Sequence, residues 1–91
     1  MRVRYYVVAK GQQYEVFRED VSKGMSAMRS RAIDIAQTLA RLETRFTSVP
    51  TEVQVEAVDG RMRTETRFEP APASNTRGRV VRVGAESVLV R

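Results

Sequence analysis

Between Val3 and Phe68 the apolar residues change their period twice, from two to roughly three and a half and back to two. A chain patterned this way folds as strands that share a sheet, with a helix laid over one face. In the first alternating stretch Val3, Tyr5, Val7 and Ala9 lie on one side, with Arg4, Tyr6, Val8 and Lys10 on the other. The stretch "KGQQ", Lys10 to Gln13, is a turn, because Gly11 supplies the positive φ that a tight hairpin needs. Pairing Ala9 with Tyr14 sets Val7 opposite Val16, Tyr6 opposite Phe17, and Arg4 opposite Glu19. Residues 20–25 then read as a polar loop containing Gly24.

Helical spacing follows. Ala32, Ile33, Ala36, Leu39 and Ala40 form the wide apolar stripe of a helix on a sheet, and Ile35, Leu42 and Phe46 widen it. Ser26 or Ser30 is the expected N-cap. Arg41 and Arg45 suit the C-terminal end of the helix dipole, and Pro50 cannot continue the helix.

The stretch "EVQVEAVDGRMRTETRF" predicts a second hairpin closing on Asp59 and Gly60. A two-residue turn there places Glu52 opposite Arg67, Val53 opposite Thr66, Val55 opposite Thr64 and Glu56 opposite Arg63. One face then holds Val53, Val55, Ala57, Met62, Thr64 and Thr66, with Phe68 at its end. The other holds Glu52, Gln54, Glu56, Arg63, Glu65 and Arg67 as a solvated, charge-paired surface. Beyond it, Pro70, Pro72 and Asn75 mark an extended linker, and "RVVRVGAESVLVR" returns to β-propensity. The expected organisation is a ββαββ domain over residues 1–69, an α+β fold with an antiparallel sheet of two hairpins and one helix on one face. Residues 70–91 are a linker and a β-prone basic tail.

The order Tyr5-x-Val7, turn, Tyr14-x-Val16, the Ala32 to Ala40 stripe, and Asp59-Gly60-Arg61-Met62 resembles a family of small uncharacterised bacterial proteins, domain of unknown function 2188. The resemblance covers roughly residues 5–68 and implies a hairpin, a helix and a second hairpin. Tyr14 stands where that family usually has tryptophan, and Met28 where it has a capping threonine. The resemblance lends no activity and no catalytic residue.

The chain has neither histidine nor cysteine, which removes the commonest general base and the thiolate metal sites. Asp34 stands alone, Asp59 is used by its turn, and Glu52, Glu56 and Glu65 are expected to be exposed beside arginines. Ser22 and Lys23 are adjacent and cannot face each other as a dyad. The reading is a non-catalytic module with no cofactor and no metal. No apolar run reaches the roughly 20 residues of a membrane span, and the expected location is the cytoplasm.

Two kinds of partner fit. The first is another protein, including a second copy of the chain. Tyr6, Val8 and Phe17 lie away from the helix, and one helix covers one face of a sheet. A second subunit, with the tail taking part, is the expected cover. The second kind is nucleic acid, held weakly and without sequence preference by Arg41, Arg45, Arg77, Arg79 and Arg82. The charge distribution is compatible with this: of the net +5, residues 21–46 contribute +3 and residues 71–91 another +3, whereas residues 47–70 contribute −2.

Overall fold

The structure, a computed structural model, describes residues 1–71. Strands β1 (Val3–Lys10), β2 (Gln13–Arg18) and β3 (Val21–Ser26) precede helix α1 (Arg29–Thr47), which is followed by β4 (Thr51–Glu56) and β5 (Met62–Phe68). They form one five-stranded sheet in the order β3-β2-β1-β4-β5 with α1 across one face. The α+β, ββαββ-like reading is borne out, with two additions. A third strand stands at one edge, and β1 pairs with β4 in parallel, so the sheet is mixed.

The first hairpin has the expected register, with Ala9 opposite Tyr14, Val7 opposite Val16 and Tyr6 opposite Phe17. Its turn has positive φ at Gly11 (63°) and not at Gln12, the pattern of a type II′ connection. The expected polar loop over residues 20–25 is instead β3. An edge strand needs a backbone ladder more than an apolar face, and Val21 to Ser26 pairs with Arg18 to Tyr14. The connecting Glu19 takes an αL conformation (φ 53°). Two hydrogen bonds to β1 hold it: Glu19 N–H donates to Arg4 O (2.8 Å), and Arg4 N–H donates to Glu19 Oε2 (2.8 Å).

The second hairpin corrects the sequence reading near its tip. A two-residue type I′ turn needs positive φ at both central residues, and Asp59 lacks it while Gly60 has it (φ 84°). Gly60 N–H donates to Ala57 O (2.9 Å) and Ala57 N–H to Arg61 O (2.8 Å), so the loop is the three residues Val58, Asp59 and Gly60. Every pair near the tip slips by one: Glu56 faces Met62 and Val55 faces Arg63. A bulge at Glu65 then restores the expected Val53–Thr66 and Glu52–Arg67 pairs. Met62 and Thr64, opposite Glu56 and Gln54, therefore join the face away from the helix.

Neither Ser26 nor Ser30 caps α1. The N-cap is Met28 without a side-chain bond, and Ser26 Oγ, two residues before it, accepts the Met28 N–H (3.2 Å). At the other end Ser48 closes the helix in αL (φ 59°). The core consists of Val3, Tyr5 and Val7 of β1, Val16 of β2, Val53 and Val55 of β4, and Ala32, Ala36 and Ala40 of α1. Three alanines at four-residue spacing let the helix axis approach the sheet closely. Thr51, fully buried, ties β4 to α1 by donating to Ala40 O (2.9 Å). The expected widening of the apolar stripe is not core throughout: Ile35 and Leu39 are half-buried, and Phe46 is 77% exposed.

Candidate functional site

The sheet face opposite α1 carries no covering element among the described residues. Pairing builds it in rows. Ser22, Phe17, Tyr6, Gln54 and Thr64 run across the five strands, and Met25, Glu15 and Val8 make up part of the next row. Tyr6, Val8 and Phe17 are half-buried and adjoin one another, as the sequence predicted, with Met25 and Met62 exposed at the two edges.

Two carboxylates on this face are buried although no described residue forms an element over them. Glu52, expected to be exposed, is 4% exposed, and Glu15 is 8% exposed. The parallel β1–β4 register sets Arg4 beside Glu52. Glu52 thus meets Arg4 (3.3 Å), Arg67 (3.4 Å) and Arg2 (3.8 Å), and the Gln54 amide donates to it as well. Burial pushes the Glu52 carboxyl up, but the hydrogen bonds from Gln54 and Arg4 with the charges of Arg4 and Arg67 outweigh it and hold the group below its ordinary value. Glu15 accepts from Ser22 Oγ (2.6 Å) and Lys10 Nζ (3.3 Å). These bonds, Ser22 first, hold it low against the opposing effect of burial. Glu56, expected to face Arg63, instead accepts the Ala9 N–H (2.9 Å), while Arg63 reaches Asp59 (3.4 Å).

Both edges of the sheet are blunted. Lys23 is the unpaired extra residue of a bulge on β3, and Glu65 is its counterpart on β5. A charged bulge on an edge strand opposes addition of a further strand.

On the opposite side, Tyr5, Arg18 and Glu43 fasten α1 down. Tyr5 Oη donates to Glu43 (2.6 Å), and Arg18 binds both Glu43 oxygens (2.9 and 2.7 Å). Burial first, and Glu43 second, push the Tyr5 phenol up to about 12. The Arg18 hydrogen bond leads in holding the Glu43 carboxyl below its ordinary value.

Arg41 and Arg45 are exposed on α1 and line a groove of about 320 Å³ beside the end of β5, with Phe68 and Pro70. Arg77, Arg79 and Arg82 lie outside the described residues, as does the β-prone tail. Arg29, Arg31, Arg41 and Arg45 of α1 form no ion pair among the described residues, whereas Arg4, Arg18, Arg63 and Arg67 of the sheet, and Arg2 just before β1, all do. Among the described residues no group of three or more Asp or Glu is placed to hold a metal ion, and no helix is long and apolar enough to cross a membrane.

The burial of Glu15 and Glu52 escaped the sequence reading. The Glu52–Arg67 pair was legible from the hairpin, but Arg2 and Arg4 reach Glu52 only through a parallel pairing that no local pattern specifies. Comparison with protein-family models, curated proteins and solved structures returned no match for this chain.

Proposed function

We propose that the chain is a non-catalytic protein-interaction module that associates with a second copy of itself through the helix-free face of the sheet. The observation that carries this reading is the burial of Glu15 and Glu52 on a face that no element covers among the described residues. Both carboxylates are already held on their own chain, Glu15 by Ser22 and Lys10 and Glu52 by three arginines and the Gln54 amide, so covering the carboxylates themselves costs little further desolvation. Between them lie Tyr6, Val8 and Phe17, the apolar centre that an interface needs inside a polar rim. The rim carries both signs, Arg2, Arg4, Lys10 and Arg67 against Glu15, Glu19, Glu52 and Glu56, and so is suited to an identical surface. The blunted edges direct association to the face.

A five-stranded sheet with strands about 4.8 Å apart offers a face about 19 Å wide. Two such faces bury an area near the lower limit for a specific complex, so the dimer is a weak one with a dissociation constant of roughly micromolar size. Sedimentation of the full chain over a concentration series tests this. The mass should rise toward twice the monomer value, and Phe17→Thr with Val8→Thr should return it to one. A monomer at every concentration would refute the reading. The motif-level resemblance to domain of unknown function 2188 supplies a bacterial setting and no activity.

A second reading, nonspecific nucleic-acid contact through Arg41 and Arg45 with the tail arginines, is favoured by the absence of carboxylate partners for the α1 arginines among the described residues. It requires binding that falls steeply with salt and is lost when those arginines become glutamine.

A further inference from the structure

We infer that the outward apolar seam of α1 is a docking site for an amphipathic helix of another protein, one that carries acidic residues beside its own apolar stripe. The site is separate from the helix-free sheet face and does not depend on self-association. Ile35, Leu39, Leu42 and Phe46 recur at spacings of four, three and four, the period of a helix–helix seam. A helix that only needed to lie on a sheet would turn these residues inward. Here Ile35 and Leu39 are half-buried, Leu42 is 38% exposed and Phe46 77%.

Three observations say what covers the seam. The first is width. The outer strands of a five-stranded sheet stand about 19 Å apart and a helix with its side chains is about 10 Å across, so α1 leaves a strip of its own sheet face open. Val21 of β3, opposite Arg18 on that face, is 52% exposed. The second is shape. Arg31, Asp34, Ile35 and Thr38, related as i, i+3, i+4 and i+7, surround a depression of about 270 Å³ together with Leu39. Four residues in that relation form the hole that receives one side chain of a facing helix.

The third is charge. Arg31, Thr38 and Arg45 follow the seam at seven-residue intervals on its solvent side, and neither arginine has an ion-pair partner among the described residues. Glu43, on the seam's other flank, is already held by Arg18 and Tyr5. A second copy would bring Arg29, Arg31, Arg41 and Arg45 of α1 with Asp34 as the one exposed carboxylate of that helix to meet them, so a homodimer through this seam sets an excess of like charge together. A nucleic-acid backbone would satisfy the arginines but leave Leu42 and Phe46 without contact. An acidic amphipathic helix satisfies both.

The test uses the full chain and two designed helical peptides with the same Leu/Ile seam, one flanked by glutamate and one by lysine. The glutamate peptide should bind saturably and at least about tenfold more tightly than the lysine peptide, the effect of roughly 1.4 kcal/mol. Leu42→Ser with Phe46→Ser, both at exposed positions, should abolish binding while the far-ultraviolet spectrum and melting curve stay native. Arg31→Glu with Arg45→Glu should reverse the preference toward the lysine peptide. Equal affinity for the two peptides, or none for the glutamate peptide, would overturn the inference. Oligonucleotide binding that survives Leu42→Ser with Phe46→Ser and outcompetes the glutamate peptide would overturn it too, assigning the surface to a polyanion.

Discussion

Replacing Glu52 with glutamine removes one negative charge from the point where three arginines converge. The amide is nearly the same shape and keeps one acceptor oxygen, so the packing of β4 should survive. Arg4, Arg67 and Arg2 stand 3.3, 3.4 and 3.8 Å from the carboxylate. At such separations a unit pair is worth about 1 kcal/mol in water and about 5 at an effective dielectric of 20. The arginine side chains are 48, 63 and 29% exposed, which puts each pair toward the lower limit once side-chain entropy is subtracted. Three pairs at about 0.5–1 kcal/mol each give a loss of about 2 kcal/mol. The loss stays short of the 3–5 kcal/mol typical of a broken buried pair, because the stranded arginines can turn toward water. For a domain of this size, stable by roughly 4–10 kcal/mol, that is a large share. Urea denaturation is the assay: the midpoint should fall by about 2 M with an unchanged slope of about 1 kcal/mol/M. The difference should shrink at about 1 M salt, where surface charges are screened. Glu65→Gln, exposed on the β5 bulge, is the control and should stay within about 0.5 kcal/mol. A loss below about 0.5 kcal/mol for Glu52→Gln, equal to the control, would refute the idea that Glu52 organises this face.

Val55 is 3% exposed in the centre of β4, so Val55→Asp places an unpaired carboxylate in the core and should abolish the cooperative thermal transition. Ser48 holds φ at 59°, a conformation glycine adopts without a Cβ penalty; Ser48→Gly should raise stability by about 0.5 kcal/mol, and an unchanged melting temperature would contradict that. The depressed Glu43, Glu52 and Glu15 contribute stability above the ordinary glutamate value of 4.5, and it is lost as pH falls below that value through their folded values. Tyr5 has the opposite sign: its folded value is raised from 10.0 to about 12, so its contribution is complete below pH 10 and lost as pH climbs through about 12. Tyr5→Phe should remove the alkaline loss, which pH-dependent urea midpoints would detect.

The sequence specified the local structure well and the long-range structure poorly. The first hairpin's register followed from alternation on both sides of Gly11. The second hairpin's far end was also legible, because the two one-residue shifts, at the three-residue turn and at Glu65, cancel by the Val53–Thr66 pair. Between them the register was misread, since Asp-Gly serves both a two-residue turn and a three-residue turn ending in αL glycine. β3 was missed because Ser22, Lys23 and Gly24 carry no apolar alternation, and an edge strand can be held by backbone bonds alone. The apolar centre Tyr6, Val8 and Phe17 was placed correctly from the first hairpin's register. The buried charges that frame it depend on the parallel β1–β4 pairing, which joins residues about fifty positions apart and leaves no local signature. Leu42 and Phe46 fit a core stripe by spacing, and only the position of α1 on the sheet leaves them outside.

The most direct test of the self-association account is an isotope-filtered nuclear Overhauser measurement on a mixture of labelled and unlabelled full-length chains. The account predicts contacts between the Tyr6 and Phe17 rings of one copy and the Val8 methyls of the other, lost in Phe17→Thr. No intermolecular contact at these residues, in a sample whose mass is that of the monomer at about millimolar concentration, would contradict it.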